Sequence, residues 1–303
     1  QLFDDSYRRS LLEKAKVESD FVEKSGVKTL YFTDPGYPVR LNDAEDAPLM
    51  LYALGKYDFN VGRTVGIVGT RHATPYGIDF VNRLVADLAS EMAEPVTVVS
   101  GLAFGIDAAA HTASLKAQIP TVGVLAHGLN MIYPAQHRSL AADMVRRGGA
   151  LITEYGSGSP IHKGNFVARN RIVAALCDCL IVAESAEKGG ALITARLASG
   201  YSRDVFALPG RTSDIYSVGC NKLIKNNVAA LVTEAADVIK AMNWPVREKE
   251  STQRELFVEL SSEEQAVMDY LTMHGEGQLN QLAIALNVNA GRMMSLLIDM
   301  EFK

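Results

Sequence analysis

Short apolar runs alternate with helical patterns through the middle of the chain. Thr64 to Val68, Val96 to Val99, Thr121 to Leu125, Ala150 to Thr153, Cys179 to Ala183 and Val205 to Ala207 are apolar nearly throughout. Runs this short predict strands, and near-continuous apolarity predicts strands covered by helices on both faces of a mostly parallel sheet. The helical stretches between them give the rhythm of a doubly wound α/β domain over residues 60–242, long enough for one well-buried core. Before it, residues 1–59 carry a helical pattern (Leu11, Leu12, Ala15, Val22) and then Thr33-Asp34-Pro35-Gly36-Tyr37-Pro38, read as a helical and extended lead-in. After it, residues 243–260 are polar and charged and contain Pro245, which reads as a linker. Residues 261–303 predict three short helices. Ser261-Ser262-Glu263-Glu264 resembles a capping box opening a helix to about Met273, Leu279 to Leu286 gives a second, and Ala290 to Met300 a third. The tight second turn fits a small winged-helix-like domain without its wing. Its third helix offers Arg292 as its one base, beside Asp299, so a protein contact or packing is favoured there over the reading of DNA.

Composition narrows the function classes. The 303 residues are 48% hydrophobic with 35 acidic and 30 basic side chains, which excludes a disordered or fibrous chain. No run of 18 apolar residues exists, and Gln1-Leu2-Phe3-Asp4-Asp5 lacks the regions of a secretory signal, so the expected compartment is the cytoplasm. The start without Met and the stop just after an apolar helix pattern read as part of a longer gene product. Cys177, Cys179 and Cys220 lack metal-ligand spacing and read as reduced thiols in or near the core. Charge is uneven: residues 60–232 carry a balance of +4 and the flanks −9. A middle segment more basic than its flanks suits an anionic partner if its charges cluster.

The chemistry gathers where strands run into glycine-bearing loops. Gly69-Thr70-Arg71 follows the first apolar run, Ser100-Gly101-Leu102-Ala103-Phe104-Gly105-Ile106-Asp107 the second, and Ala126-His127-Gly128 the third. In an open parallel sheet these loops share the carboxyl edge, where the free amides of helix N-termini favour an anion. The shared reading is a phosphate site; the competing one is that such turns need glycine anyway. No loop has the GxGxxG or GxxxxGK[ST] spacing, which disfavours tight NAD or ATP use. A second feature is Pro160-Ile161-His162-Lys163-Gly164-Asn165-Phe166-Val167-Ala168-Arg169-Asn170-Arg171, with three fixed positive charges, no acid and one aromatic ring. Lys and Arg neutralise phosphates and an exposed Phe offers a stacking face to any base, which suits single-stranded nucleic acid. Equally, Phe166 at a helix start is open to a core role and the arginines to ion pairs. Ser100, Asp107 and His111 make a weak catalytic set, because Asp107 and His111 lie one helical turn apart and more simply support a helix.

The motifs as a set resemble the DprA/Smf family. They are Gly66-Ile67-Val68-Gly69-Thr70-Arg71 with Thr74-Pro75-Tyr76-Gly77, Ser100-Gly101-Leu102-Ala103-x-Gly105-Ile106-Asp107, Tyr133-Pro134, Asn165-Phe166-x-x-Arg169-Asn170-Arg171, Gly189 to Ala195, Ala207-x-Pro209-Gly210 and Gly219-x-Asn221. The resemblance spans about residues 30–240 and implies an extended Rossmann-like fold that binds single-stranded DNA without strong sequence preference, without cofactor or hydrolysis. It further implies a homodimer that binds RecA recombinase and loads it onto incoming strands in natural transformation. By motif, Arg71 would hold a phosphate with Gly69 and Thr70 as backbone donors, Lys163 and Phe166 would be a phosphate contact and a stacking platform, and Arg169 would extend the basic pocket. Ser100 and Gly101 would line the next loop, while Asn170 and Arg171 would bind DNA or tie the loop to the domain. The family usually has Arg or Lys where Phe104 stands here, and Ser-Gly-Ser where Gly189-Gly190-Ala191 stands.

Two other readings use the same loops. One is a nucleoside-monophosphate phosphoribohydrolase of the lysine-decarboxylase-like group, but Glu187-Lys188-Gly189-Gly190 has no proline before its glycines and no carboxylate in the helix that follows. The other is a nucleotide-sensing regulator, in which one mononucleotide would compete with DNA.

Overall fold

The described residues, 4–247 and 260–301 of a computed structural model, fall into two units, one on each side of about residue 248. The first opens with α1 (Asp5–Ser25), capped by Asp4 accepting the Ser6 and Tyr7 amides. Strands β1 (Lys28–Tyr31) and β2 (Met50–Gly55) come next. The predicted alternation then runs β3 (Arg63–Val68), α2 (Pro75–Glu91), β4 (Val96–Ser100), α3 (Ile106–Lys116), β5 (Thr121–Val124), α4 (Arg138–Arg146) and β6 (Ala150–Thr153). It continues as α5 (Lys163–Leu176), β7 (Cys179–Val182), α6 (Gly190–Gly200), β8 (Asp204–Ala207), α7 (Val218–Lys225), β9 (Ala230–Leu231) and α8 (Ala235–Ala241).

The strands form one sheet in the order β1-β2-β6-β5-β4-β3-β7-β8-β9, parallel from β6 to β9 and antiparallel at β1 and β2. Residues 28–55, within the segment read as a lead-in, thus supply two strands of the same sheet. They are fastened by Arg40, which donates from Nε and Nη2 to the two carboxylate oxygens of Asp178 at 2.7 and 3.1 Å. β3 is the first strand of the doubly wound part, and the chain winds away from it in one direction through β4, β5 and β6, then in the other through β7, β8 and β9. The crevice between the loops after β3 and β7 is therefore the topological switch point, where such sheets bind ligands.

The period of two along each strand divides the core. Val65, Ile67, Cys179 and Ile181 pack with Phe80, Leu84 and Leu88 of α2 and Ile106 and Ala110 of α3. Val68, Leu180 and Val182 pack on the other face with Ile172 and Leu176 of α5 and Leu192 and Ala195 of α6. With both faces covered, strand positions must be apolar on both sides, which is why these strands were visible as unbroken runs. The three cysteines are free and buried, and burial pushes the Cys177 and Cys220 thiols up to about 12.

The second unit contains α9 (Ser262–His274), α10 (Leu279–Ala285) and α11 (Ala290–Glu301) around Val267, Leu282, Met293 and Leu296. Ser261 caps α9 and Glu264 reaches back to the Ser261 amide at 2.7 Å, so the capping box read from the sequence is present. The segment 248–259, most of the expected linker, lies outside the described residues. Among the described residues, no helix is long and apolar enough to cross a membrane.

Candidate functional site

Four segments meet at the switch point around a cleft of about 320 Å³: the β3–α2 loop, the β4–α3 loop, the first half of α5 and the β7–α6 loop. Their backbones interlock. The Thr70 amide donates to the Glu184 carbonyl at 2.7 Å and the Ile106 amide donates to the Thr70 carbonyl at 3.1 Å. Gly105 has φ 75°, and a Cβ there would run into the Thr70 and Arg71 carbonyls, so only glycine lets the β4 loop close onto the β3 loop. Glu184, 2% exposed, accepts the Thr74 amide at 2.8 Å and the Thr74 hydroxyl at 2.5 Å, pinning the start of α2 to the end of β7.

Of the ten residues expected at the site, Gly69, Thr70, Arg71, Gly101, Phe166, Arg169 and Asn170 line the cleft. Arg71 is exposed, and its guanidinium carbon lies 5.6 Å from the centroid of the half-buried Phe166 ring. This is a cation over an aromatic face. Lys163 begins α5 one turn before Phe166, on the same helix face, and is exposed with no hydrogen bond or ion pair among the described residues. His162 caps that helix, its Nδ1 accepting the Gly164 amide at 3.0 Å.

Other placements correct the expectations. The Thr70 amide, expected as a phosphate donor, is spent on Glu184. Ser100 is fully buried and its hydroxyl donates to the Ile67 carbonyl at 2.6 Å, tying β4 to β3 instead of lining the cleft. Arg171 points to the body of the domain, as the second of its two expected roles has it. Its two terminal nitrogens donate to the two oxygens of Glu154 at 3.0 and 2.6 Å. Arg169 does reach the cleft, but from beneath: it is 4% exposed, donates from Nη1 to the Val124 carbonyl at 2.6 Å, and fills the space that a Gly101 Cβ would need. Its Nε has no partner among the described residues.

Asp107, expected to support a helix or to complete the weak set with Ser100 and His111, also lines the cleft. It accepts the Ala103 amide at 3.3 Å. Burial pushes its carboxyl above the usual range and Arg169 pulls it back; burial likewise lowers Arg169, and Asp107 opposes that. The two charges steady each other under the floor of the cleft. His111 is not poised as a base toward Ser100, because its Nδ1 sits 2.7 Å from the Thr121 hydroxyl and burial lowers it to about 3. Thr194 and Ser185, on the wall formed by the β7–α6 loop and α6, were missed as individual residues, although Thr194 lies in the quoted Gly189 to Ala195 motif.

This cleft is carried on a segment that comparison with known proteins also isolates. A model of the family described as DNA recombination-mediator protein A matches residues 28–243. The chain belongs to that family. All four cleft segments fall inside the match, and the three-helix unit lies beyond it. Protein Smf of Synechocystis is 40% identical over 205 residues, 66% of this chain and 50% of that protein. DNA processing protein DprA of Bacillus subtilis is 37% identical over 220 residues, 72% of each chain. The chain thus aligns with about half the length of one family member and nearly three quarters of another. Among solved structures, DprA from Streptococcus pneumoniae superposes with a TM-score of 0.65 at 37% identity, covering 70% of this chain and 73% of that one. DNA processing protein A from Helicobacter pylori, described for its single-stranded DNA binding mode, superposes with a TM-score of 0.63 at 28% identity, covering 72% and 97%. The extended Rossmann-like sheet is the fold that these family members share with this chain.

Proposed function

We propose that the switch-point cleft binds single-stranded DNA with little sequence preference, without cleaving it, and that the protein passes bound strands to a RecA recombinase. Arg71 lying over the Phe166 ring is the observation that carries this reading. A guanidinium neutralises a phosphate and the ring stacks on a base, and held together they match the repeat of a nucleotide without selecting which base it bears. Lys163, exposed and unpaired among the described residues one turn away, would take the neighbouring phosphate. Gly69, Gly101 and Asn170 would line the strand's path over the buried Arg169. Membership of a family described as recombination mediators, and the relative from Helicobacter pylori described as binding single-stranded DNA, support the same class of ligand. A homodimer in the cytoplasm is the form in which we expect the protein to act.

Fluorescence anisotropy with a labelled single strand and the matching duplex, across a salt series, tests the proposal. The single strand should bind more tightly. Arg71→Ala and Lys163→Ala should each lower the slope of log affinity against log salt by about 0.7, the value for one phosphate on a single strand. Phe166→Ala should cost about 1 to 3 kcal/mol with the slope unchanged. Equal, feeble binding of both DNAs, or three variants that bind like the parent, would refute the site. Release of free base from a mononucleotide would turn the reading toward the hydrolase.

A further inference from the structure

The cleft does not end at Phe166. The Phe166 ring meets Tyr133 edge to face, with centroids 5.8 Å apart, and Tyr133 is itself 47% exposed. The β4–α3 loop turns at Gly105 directly against the Thr70 and Arg71 carbonyls, and the residue before that turn is Phe104. Phe104 is 43% exposed and meets His137 edge to face at 5.0 Å. His137 is held in place by its Nδ1, which lies 2.9 Å from the Leu102 carbonyl of the same loop. Tyr133 is held too, its amide donating to His127 Nε2 at 3.1 Å. Two ring pairs, Tyr133 with Phe166 and His137 with Phe104, therefore each draw one ring from the segment between β5 and α4. Next to His137, Arg138 is exposed with no hydrogen bond or ion pair among the described residues.

Phe104 packs against the hydrogen-bonded His137 and the Tyr133 backbone is held by His127, so both rings keep an exposed face in a fixed place. An exposed ring, Phe104 on the β4–α3 loop, and an unpaired arginine, Arg138 at the start of α4, supply the same two chemistries as Phe166 and Arg71. We infer that Phe104, with Arg138 and the Tyr133 ring, forms a second nucleotide subsite that takes the continuation of the single strand leaving the cleft. This rests on the single-strand reading of the cleft. Because Phe104 contributes a ring and no charge, its share of the affinity is independent of salt, whereas that of Arg138 is not.

The test is a length ladder. The full chain and its Phe104→Ala, Phe104→Trp and Arg138→Ala variants are titrated with a dithymidylate and with oligothymidylates of about 4 to 16 nucleotides, spanning known single-strand site sizes. Phe104→Ala should weaken binding of the longer strands about five-fold or more, leave the dithymidylate unaffected and preserve the salt slope. Phe104→Trp should restore the loss. Arg138→Ala should lower the salt slope on long strands alone by about 0.7. If Phe104→Ala binds every length like the parent, or weakens the dithymidylate as much as the long strands, the subsite is overturned while the cleft stands. If the parent chain binds no single strand, or Arg71→Ala and Phe166→Ala bind like it, both readings fall together.

Discussion

The two units handle positive charge in opposite ways. At the cleft, Arg71 and Lys163 stand exposed without acidic partners among the described residues, one of them over an aromatic ring. In the three-helix unit, residues 260–301 hold six carboxylates and a single arginine, Arg292, which pairs with Glu263 at 2.8 Å. A cation without a partner in a folded protein is available to a ligand, and a paired one is already in use. The comparison teaches that net charge is a poor guide here: a chain of net charge −5 still gathers unpaired cations at one crevice through the placement of a few side chains.

The sharpest way to break the comparison is through Arg169, the one cleft cation that is buried. Replacing it in Arg169→Met removes its hydrogen bond to the Val124 carbonyl and the charge that does most to offset the burial of Asp107, which should cost about 1.5 to 3 kcal/mol of stability. Trp244 is the sole tryptophan and packs in the core of the α/β unit, so a urea melt followed by its emission reports that unit alone. A loss under about 1 kcal/mol would mean that Asp107 takes up a proton at little cost and that Arg169 belongs with the exposed cations.

His111 gives the next effect. Its folded value of about 3 lies below the ordinary 6.5, because burial disfavours the charged ring. Between these values the unfolded chain binds a proton that the native state refuses, so stability is intact above about pH 6.5 and falls as pH drops toward 3. From pH 7 to pH 5 the loss should be about 2 kcal/mol. The same Trp244 melt on His111→Gln should show a correspondingly smaller fall; an equal fall would assign the acid sensitivity to other groups.

How much of this was legible follows from what each residue depends on. The six apolar runs appeared as strands because burial on both faces leaves its mark on every position. β1 was not legible, since Lys28 to Tyr31 form a sheet edge with most side chains in water, and β9 has only two residues. The glycine loops announced the carboxyl edge because their turns are local. The burial of Arg169 was not readable, as it needs Gly101, in the loop after β4, to lack a side chain. Arg171 looks like Arg169 in sequence, and only the distant Glu154 decides that it is structural.

That contrast within α5 is testable as well. Arg171→Ala removes a half-buried bidentate pair and should cost about 1.5 kcal/mol of stability, the scale of hydrogen bonds to a charged group. Its affinity for single strands should change less than two-fold. A drop in the salt slope would instead return Arg171 to the DNA contacts.

The smallest effect should come from Arg292, and its smallness is informative. The Arg292 and Glu263 side chains are about half exposed, and ion pairs so placed contribute about 0 to 1 kcal/mol. Arg292→Ala should therefore leave stability within about 0.5 kcal/mol and single-strand affinity and salt slope unchanged. The unit offers no other lysine or arginine among its described residues, so an unchanged slope would separate its three described helices from phosphate binding. A slope lowered by about 0.7 would show that Arg292 leaves Glu263 for a phosphate when DNA is present, and the division of labour between the two units would have to be withdrawn.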